Sequence, residues 1–126
     1  MGIITKWQTE ERQVIVREFD KTWNWEDFYA SQDEVSQMLG SVTYKVHQIL
    51  DFSESQSLPP NALTHIGKSG RNMPENRGAT IVVMESRLYQ AMYGILKTVF
   101  PALVTRVVLV STREEAEAYL EKQRES

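Results

Sequence analysis

The sequence has no cysteine among its 126 residues. Disulfides, thiolate metal ligands and cysteine nucleophiles are therefore excluded, and the composition suits a reducing, cytoplasmic setting. No apolar run approaches the ~20 residues that cross a bilayer. The segment Met1 to Trp7 lacks a signal-peptide layout, and Lys6 stands where a myristoylation signal requires a small hydroxyl residue. Neither sign of charge dominates: 14 Lys and Arg against 17 Asp and Glu leave a net charge of −3. That balance argues against nucleic acid as a partner. There is no Gly-x-Ser-x-Gly elbow and no Gly-x-Gly-x-x-Gly loop. Gly67-Lys68-Ser69 is not a P-loop, because the required earlier glycine is Ala62. With no repeat, low-complexity tract or linker, residues 1–126 are expected to form one domain, long enough to bury a core without staples.

What is present is an alternation of strand and helix patterns. Ile3 to Gln8 and residues 13–19 read as two strands joined tightly into an antiparallel hairpin. Asn24 and Asp27 have capping-box spacing, and Trp23 with Phe28 fits a hydrophobic staple. Trp25, Phe28, Val35 and Leu39 then share a helical face, with Gln32 as its weak rung and Gly40 as the stop. Tyr44 through Phe52 read as a third strand, with Val46 and Leu50 on one face and His47, Ile49 and Asp51 on the other. A second helix is expected to open at Pro59-Pro60, since proline suits the first helical position, and to bury Ala62, Leu63 and Ile66. Gly67 and Gly70 weaken it. After a polar loop from Asn72 to Gly78, Ala79 to Met84 is a β-branched run of the kind covered on both faces in parallel sheets. Ser86 is placed to cap a third helix with Leu88, Ala91, Met92, Ile95 and Val99 as its apolar stripe, stopped by Pro101. Arg106 to Val110 reads as another buried strand. Thr112 and Glu115 begin a last helix with Ala116, Tyr119 and Leu120 inward, followed by a solvated tail from Lys122. The order β-β-α-β-α-β-α-β-α predicts an α/β fold: a mostly parallel mixed sheet of about five strands, an N-terminal antiparallel hairpin and four helices.

The stretch from Leu50 to Leu63 stands out within this pattern, because ligands and partners meet open α/β sheets at strand-to-helix turns. Asp51 ends the third strand, either as a ligand-binding or basic group or as a cap for the loop's own backbone N–H groups. Ser53, Ser55 and Ser57 are candidate phosphosites or loop caps, with Ser57 best placed for the helix dipole. His47 lies roughly 13 Å from Asp51 along the strand, too far for direct contact. Together with His65 it reads as one strand-face and one helix-surface histidine, and no His/Asp/Glu spacing offers a metal site. Lys68, Arg71 and Arg77 form a basic cluster that either receives a phosphate or acidic partner or is simply solvated. Trp7, Trp23, Trp25 and Tyr29 are core residues by default and interface anchors by alternative, with Trp23, just outside the helix, expected to be the most exposed.

The element order and the Leu50-Asp51-Phe52-Ser53 turn resemble the STAS domain of bacterial anti-sigma-factor antagonists, the SpoIIAA-like proteins. Those proteins carry Leu-Asp-Leu-Ser at the strand end and Met-Asp-Ser-Ser-Gly-Leu at the helix start. Leu58-Pro59-Pro60-Asn61-Ala62-Leu63 falls in register with the second motif. The family's phosphoacceptor serine aligns with Pro60 and Asn61, which a serine kinase cannot modify. Trp23 to Phe28 is similar to a divergent SpoIIAA-like group that shares its fold with lipid-binding CRAL-TRIO domains.

The resemblance implies a non-catalytic regulatory or protein-binding module that is not switched at the usual serine. Its expected binding residues are Asp51, Ser53, Ser57, Asn61, His65 and Lys68. No cofactor is expected. The partner would be a protein or a second copy of the chain, and the alternatives are a small apolar, lipid-like ligand or a small hydrolase activity.

Overall fold

Strands Ile3–Trp7 (β1) and Val14–Phe19 (β2) pair antiparallel, with Ile3 opposite Phe19 and Trp7 opposite Ile15. Three further strands, Val46–Asp51 (β3), Arg77–Val83 (β4) and Val107–Val110 (β5), extend the sheet in parallel. The spatial order β1-β2-β3-β4-β5 follows the chain. Among the described residues the helices are Trp25–Gly40 (α1), Ala62–Ser69 (α2), Arg87–Val99 (α3) and Arg113–Glu125 (α4). The protein is therefore an α/β fold on a five-stranded mixed sheet. It is seen in a computed structural model that describes residues 2–55, 58–69, 74–85, 87–99, 101 and 107–125. Ser57, Gly70, Arg71, Asn72, Ser86 and Arg106 lie outside those residues, as do the side chains of Leu63, Ile66, Leu88 and Met92. Among the described residues, no helix is long and apolar enough to cross a membrane.

Strand alternation sorts the core onto two faces. Val14, Val16, Ile49, Ile81 and Val83 pack beneath Ala116 and Leu120 of α4. The other face carries α1 and divides in two. Ile15 and Val46 pack with Val35 and Leu39, while Phe19, Phe52, Val82 and Met84 pack with Trp23 and Phe28. Between these clusters lie Arg17 and Gln48, both buried.

The start of α1 follows the sequence closely. Asn24 Oδ1 accepts the Asp27 N–H at 2.8 Å and Asp27 Oδ2 accepts the Asn24 N–H at 3.4 Å, completing the capping box. Trp23 reaches Phe28 with ring centroids 6.1 Å apart, as the staple requires. Several other expectations are corrected. Ser31, rather than Gln32, completes the buried stripe, because its hydroxyl pairs with Thr5 Oγ1 at 3.0 Å. The helix ends at Gly40 as expected, and Ser41, in a right-handed conformation, makes the cap through its N–H to Met38 and Leu39 carbonyls. Helix α2 starts at Ala62 instead of the proline pair, because Asn61 turns into the left-handed region with φ 64°. Strand β4 begins at Arg77, two residues early. Strand β5 is the sheet edge, so its residues are half-buried instead of fully covered. On α3, Ala91, Ile95 and Val99 are exposed and Leu96 is buried, a rotation of the inward face relative to the expected stripe. The tail is solvated as expected where its side chains are described, with Lys122 and Gln123 exposed, and α4 carries it in helical form to Glu125.

The ladder between β3 and β4 contains one irregularity. Val46 pairs with Arg77 but Gln48 pairs with Thr80, so Gly78 and Ala79 both stand opposite His47. A bulge of this kind leaves one N–H without a ladder partner. Here His47 Nδ1 accepts the Ala79 N–H at 2.9 Å. The imidazole also occupies the space above Gly78, where a Cβ would sit 2.5 Å from Nδ1.

Candidate functional site

The carboxyl end of β3 leads into the turn singled out from the sequence, and the structure divides that turn between the two faces of the sheet. Asp51 points toward α4. Its Oδ1 accepts the Ser53 N–H at 2.9 Å and the Ser53 hydroxyl. Its Oδ2 meets Arg113 Nη1 at 3.0 Å. Burial pushes this carboxyl upward, but the two Ser53 hydrogen bonds and the Arg113 guanidinium outweigh burial and hold it below the ordinary aspartate range. Asp51 is thus an ionised acceptor already engaged by its own loop and by α4. Of its two proposed roles, this geometry matches the loop cap. The opposite shift would be wanted of a general base at neutral pH.

Arg113 carries the rest of this network. It is the first residue of α4, after Thr112, whose Oγ1 accepts the Glu115 N–H at 3.1 Å. A cation is unfavourable at a helix N-terminus, and here it is surrounded by carboxylates. Glu18 lies 3.5 Å away and Glu117 3.3 Å away, and Lys6 pairs with Glu18 at 3.2 Å. Burial alone would lower the Arg113 pKa; hydrogen bonds and charge from Asp51 and Glu117 raise it. Nothing in the sequence reading picked out Arg113. The signal was available, because the Thr112–Glu115 capping box places it at the carboxyl edge of a parallel sheet.

The second half of the turn faces α1. Ser55 is buried and accepts the Trp23 Nε1–H at 2.9 Å, which explains why Trp23 is buried and not the exposed member of its group. Trp25 is half-buried, and its Nε1–H donates to the Pro60 carbonyl at 2.6 Å. The His65 ring stacks on Trp25 at 4.6 Å and 21°. The Tyr29 hydroxyl lies 2.8 Å from His65 Nδ1. Asn61 is exposed, and its carbonyl accepts the first α2 hydrogen bond, from the His65 N–H at 3.2 Å. Lys68 is exposed one turn beyond His65. An aromatic series therefore runs from the core to the surface through Phe19, Phe52, Trp23, Phe28, Trp25 and Tyr29.

Of the expected site residues, Asn61 and His65 come together with Trp25 and Tyr29, while Asp51 and Ser53 join Arg113 on the opposite face. Ser57 and Arg71 lie outside the described residues. His47 is far from this edge, at the β4 bulge. It borders a cavity of about 100 Å³ also lined by Gln8, Glu11, Gln13 and Glu117. Among the described residues no three His, Asp or Glu side chains converge as metal ligands.

No family model and no curated protein matches the sequence. Among solved structures, the chain is similar to the NMR structure of the protein TM1081, with a TM-score of 0.62 and 17% identity. The match covers 90% of this chain and 84% of that one, a likeness of fold.

Proposed function

We propose that the chain is a non-catalytic, STAS-like regulatory module of the cytoplasm that binds a protein partner through the β3–α2 turn. The observation that carries this reading is the braced aromatic group at that turn. Trp25 is tied to the Pro60 carbonyl, His65 is stacked on Trp25, and Tyr29 is 37% exposed beside them. Rigid, partly exposed aromatic side chains lose little entropy on binding and are common anchors of interfaces. Asn61 and Lys68 add polar groups at the rim of the same surface, where they contribute to specificity.

The family's phosphoacceptor position holds Pro60 and Asn61, so partner binding is expected to proceed without a serine switch there. Ser53 is exposed, but its hydroxyl bonds to Asp51. A phosphate on it would set a dianion against that carboxylate. Ser55 is buried beneath Trp23.

Photo-crosslinking tests the reading. A benzophenone side chain placed at Asn61 or Lys68 should capture one discrete protein in the native host. Yield should fall at least tenfold in Tyr29→Ala and His65→Ala. The same probe at Lys122 on α4 should capture nothing comparable. Equal capture from Lys122, or yield unmoved by both aromatic-patch variants, would refute this surface as the working edge. Capture of a second copy of the chain would identify a homodimer instead.

A further inference from the structure

The charge of this protein is unevenly distributed. Helix α1 carries four acids, Glu26, Asp27, Asp33 and Glu34, and no Lys, Arg or His. Of the 17 Asp and Glu in the chain, the 13 outside α1 stand against all 14 Lys and Arg, so the net charge of −3 resides on this helix. Helix stability accounts for two of the four. Asp27 closes the capping box, and Glu26 in the first turn meets the positive end of the helix dipole. Asp33 and Glu34 lie in mid-helix. Their neighbours three and four residues away are Tyr29, Ala30, Ser31, Ser36, Gln37 and Met38, which offer no cation. Aspartate is also a weak helix former.

These acids border the aromatic group of the β3–α2 turn. Tyr29 follows Glu26 by three residues and precedes Asp33 by four, so the three exposed side chains share one face of α1. Glu54, in the turn itself, is exposed as well. None of the ion pairs among the described residues involves Glu26, Asp33, Glu34 or Glu54. Folding therefore gains little from the acids beside Tyr29, and their concentration there calls for another explanation.

We infer that the protein partner of this surface docks on α1 with an arginine-bearing, basic segment; the inference rests on the reading of the β3–α2 turn as a protein-binding edge. A guanidinium is planar, stacks on an aromatic ring and pairs with two carboxylate oxygens at once. Tyr29 supplies the ring, while Glu26 and Asp33 on either side of it supply the carboxylates. Glu34 and Glu54 add to a negative field that speeds encounter with a basic segment and disfavours acidic ones. Lys68 on α2 is the one exposed cation this surface has been assigned, at its far rim. It sets the polarity of docking: the basic residues of the partner lie over α1, and an acidic or neutral residue lies over Lys68.

The test uses the intact protein and three synthetic peptides of equal length that alternate serine with arginine, lysine or glutamate, at matched ionic strength. The Trp25 indole N–H and the Tyr29 and Asp33 amides, followed by ¹H–¹⁵N NMR, should shift saturably with the arginine peptide and not with the glutamate peptide. The lysine peptide should bind several-fold more weakly. Affinity for the arginine peptide should fall at least tenfold in Tyr29→Ala and in the double variant Asp33→Asn/Glu34→Gln. It should hold within about twofold in Glu10→Gln/Glu114→Gln, which removes the same charge from exposed positions elsewhere. The α1 double variant should melt no lower than the wild type. Equal losses in the two double variants, as general attraction would produce, overturn the inference. So do three signals unmoved by the arginine peptide, or a fall in Tm showing that the acids serve the helix. Photo-crosslinking separates this inference from the reading beneath it. Capture that falls in Tyr29→Ala but is unchanged in Asp33→Asn/Glu34→Gln keeps the surface and refutes the basic partner.

Discussion

Replacing Gly78 with alanine should destabilise the protein through one identifiable contact, the imidazole of His47. The new Cβ would lie 2.5 Å from Nδ1 and 2.9 Å from Cε1 of that ring, and 3.1 Å from Cγ of the flexible Lys45 side chain. Gly78 is not in the left-handed region, so alanine brings no backbone strain. Overpacking of this kind costs about 1–3 kcal/mol. Displacing the ring also breaks the bond from the Ala79 N–H, worth about 1–2 kcal/mol when the donor is left unpaired. Against this, alanine gains about 0.5–1 kcal/mol from reduced chain entropy in the unfolded state. The net expectation for Gly78→Ala is a loss of about 2–4 kcal/mol, or a fall in Tm of about 10 °C for a domain of this size. His47→Ala should cost about 1–2 kcal/mol by orphaning the same N–H. The decisive measurement is the double variant in urea denaturation. With the ring gone, the alanine has space, so Gly78→Ala should cost almost nothing in the His47→Ala background. The resulting coupling should be about 2–4 kcal/mol, well above the roughly 0.5 kcal/mol scatter of independent sites. Additive effects would refute the steric argument. A pH arm checks the hydrogen bond independently. Burial, helped by Lys45, lowers the His47 pKa below 6.5, and a proton on Nδ1 would confront the Ala79 donor. The folded state binds this proton more weakly than the unfolded chain does. Its contribution is therefore full above pH 6.5 and lost as pH falls through the folded value, a slope that His47→Ala should abolish.

Three further outcomes follow from the turn. Asp51 has a depressed pKa, so its contribution is full above its ordinary value of 3.8 and is lost as pH falls through the lower folded value; Asp51→Asn should flatten acid unfolding there, measured by circular dichroism. Asn61→Gly should be neutral or stabilising by up to about 1 kcal/mol, and Asn61→Ser should cost about 0.5–1 kcal/mol, because serine tolerates the left-handed region less well. Trp25→Phe removes the donor to Pro60 and should cost about 1 kcal/mol in chemical denaturation; no loss would show that this bond does not brace the turn.

The parts of the fold legible in the sequence were those set by local chemistry. The tight β1–β2 hairpin, the Asn24–Asp27 box and the β-branched run in β4 each announce their structure within a few residues, although β2 is buried on both faces and not on one. The misreadings came from tertiary context. Proline at 59 and 60 suits a helix start, but the geometry of the turn requires a left-handed residue at Asn61, which delays α2 to Ala62. The apolar stripe on α3 is periodic, yet periodicity does not say which side meets the sheet, and Leu96 turned inward instead of Ile95 and Val99. Trp23 looked peripheral because it precedes α1, but its indole N–H finds the Ser55 hydroxyl 32 residues away. Asp51 was legible as a turn residue, while its partner Arg113 was not, because no local pattern links residues 62 apart. Arg17 sits at a regular inward position of β2, and only its three-dimensional surroundings show that none of the ion pairs among the described residues reaches it.

The position of α4 bears on the order in which the molecule folds. Each strand pairs with its immediate neighbour in sequence, so the sheet can grow stepwise through short loop closures as the chain is synthesised. The clasp by α4 is different in kind: it follows all five strands, and its Glu117 reaches back 109 residues to Gln8. Until α4 emerges, Val14, Val16, Ile49, Ile81 and Val83 form a bare apolar sheet face. A nascent chain paused before Arg113 would present the type of surface that chaperones bind and that aggregates in their absence.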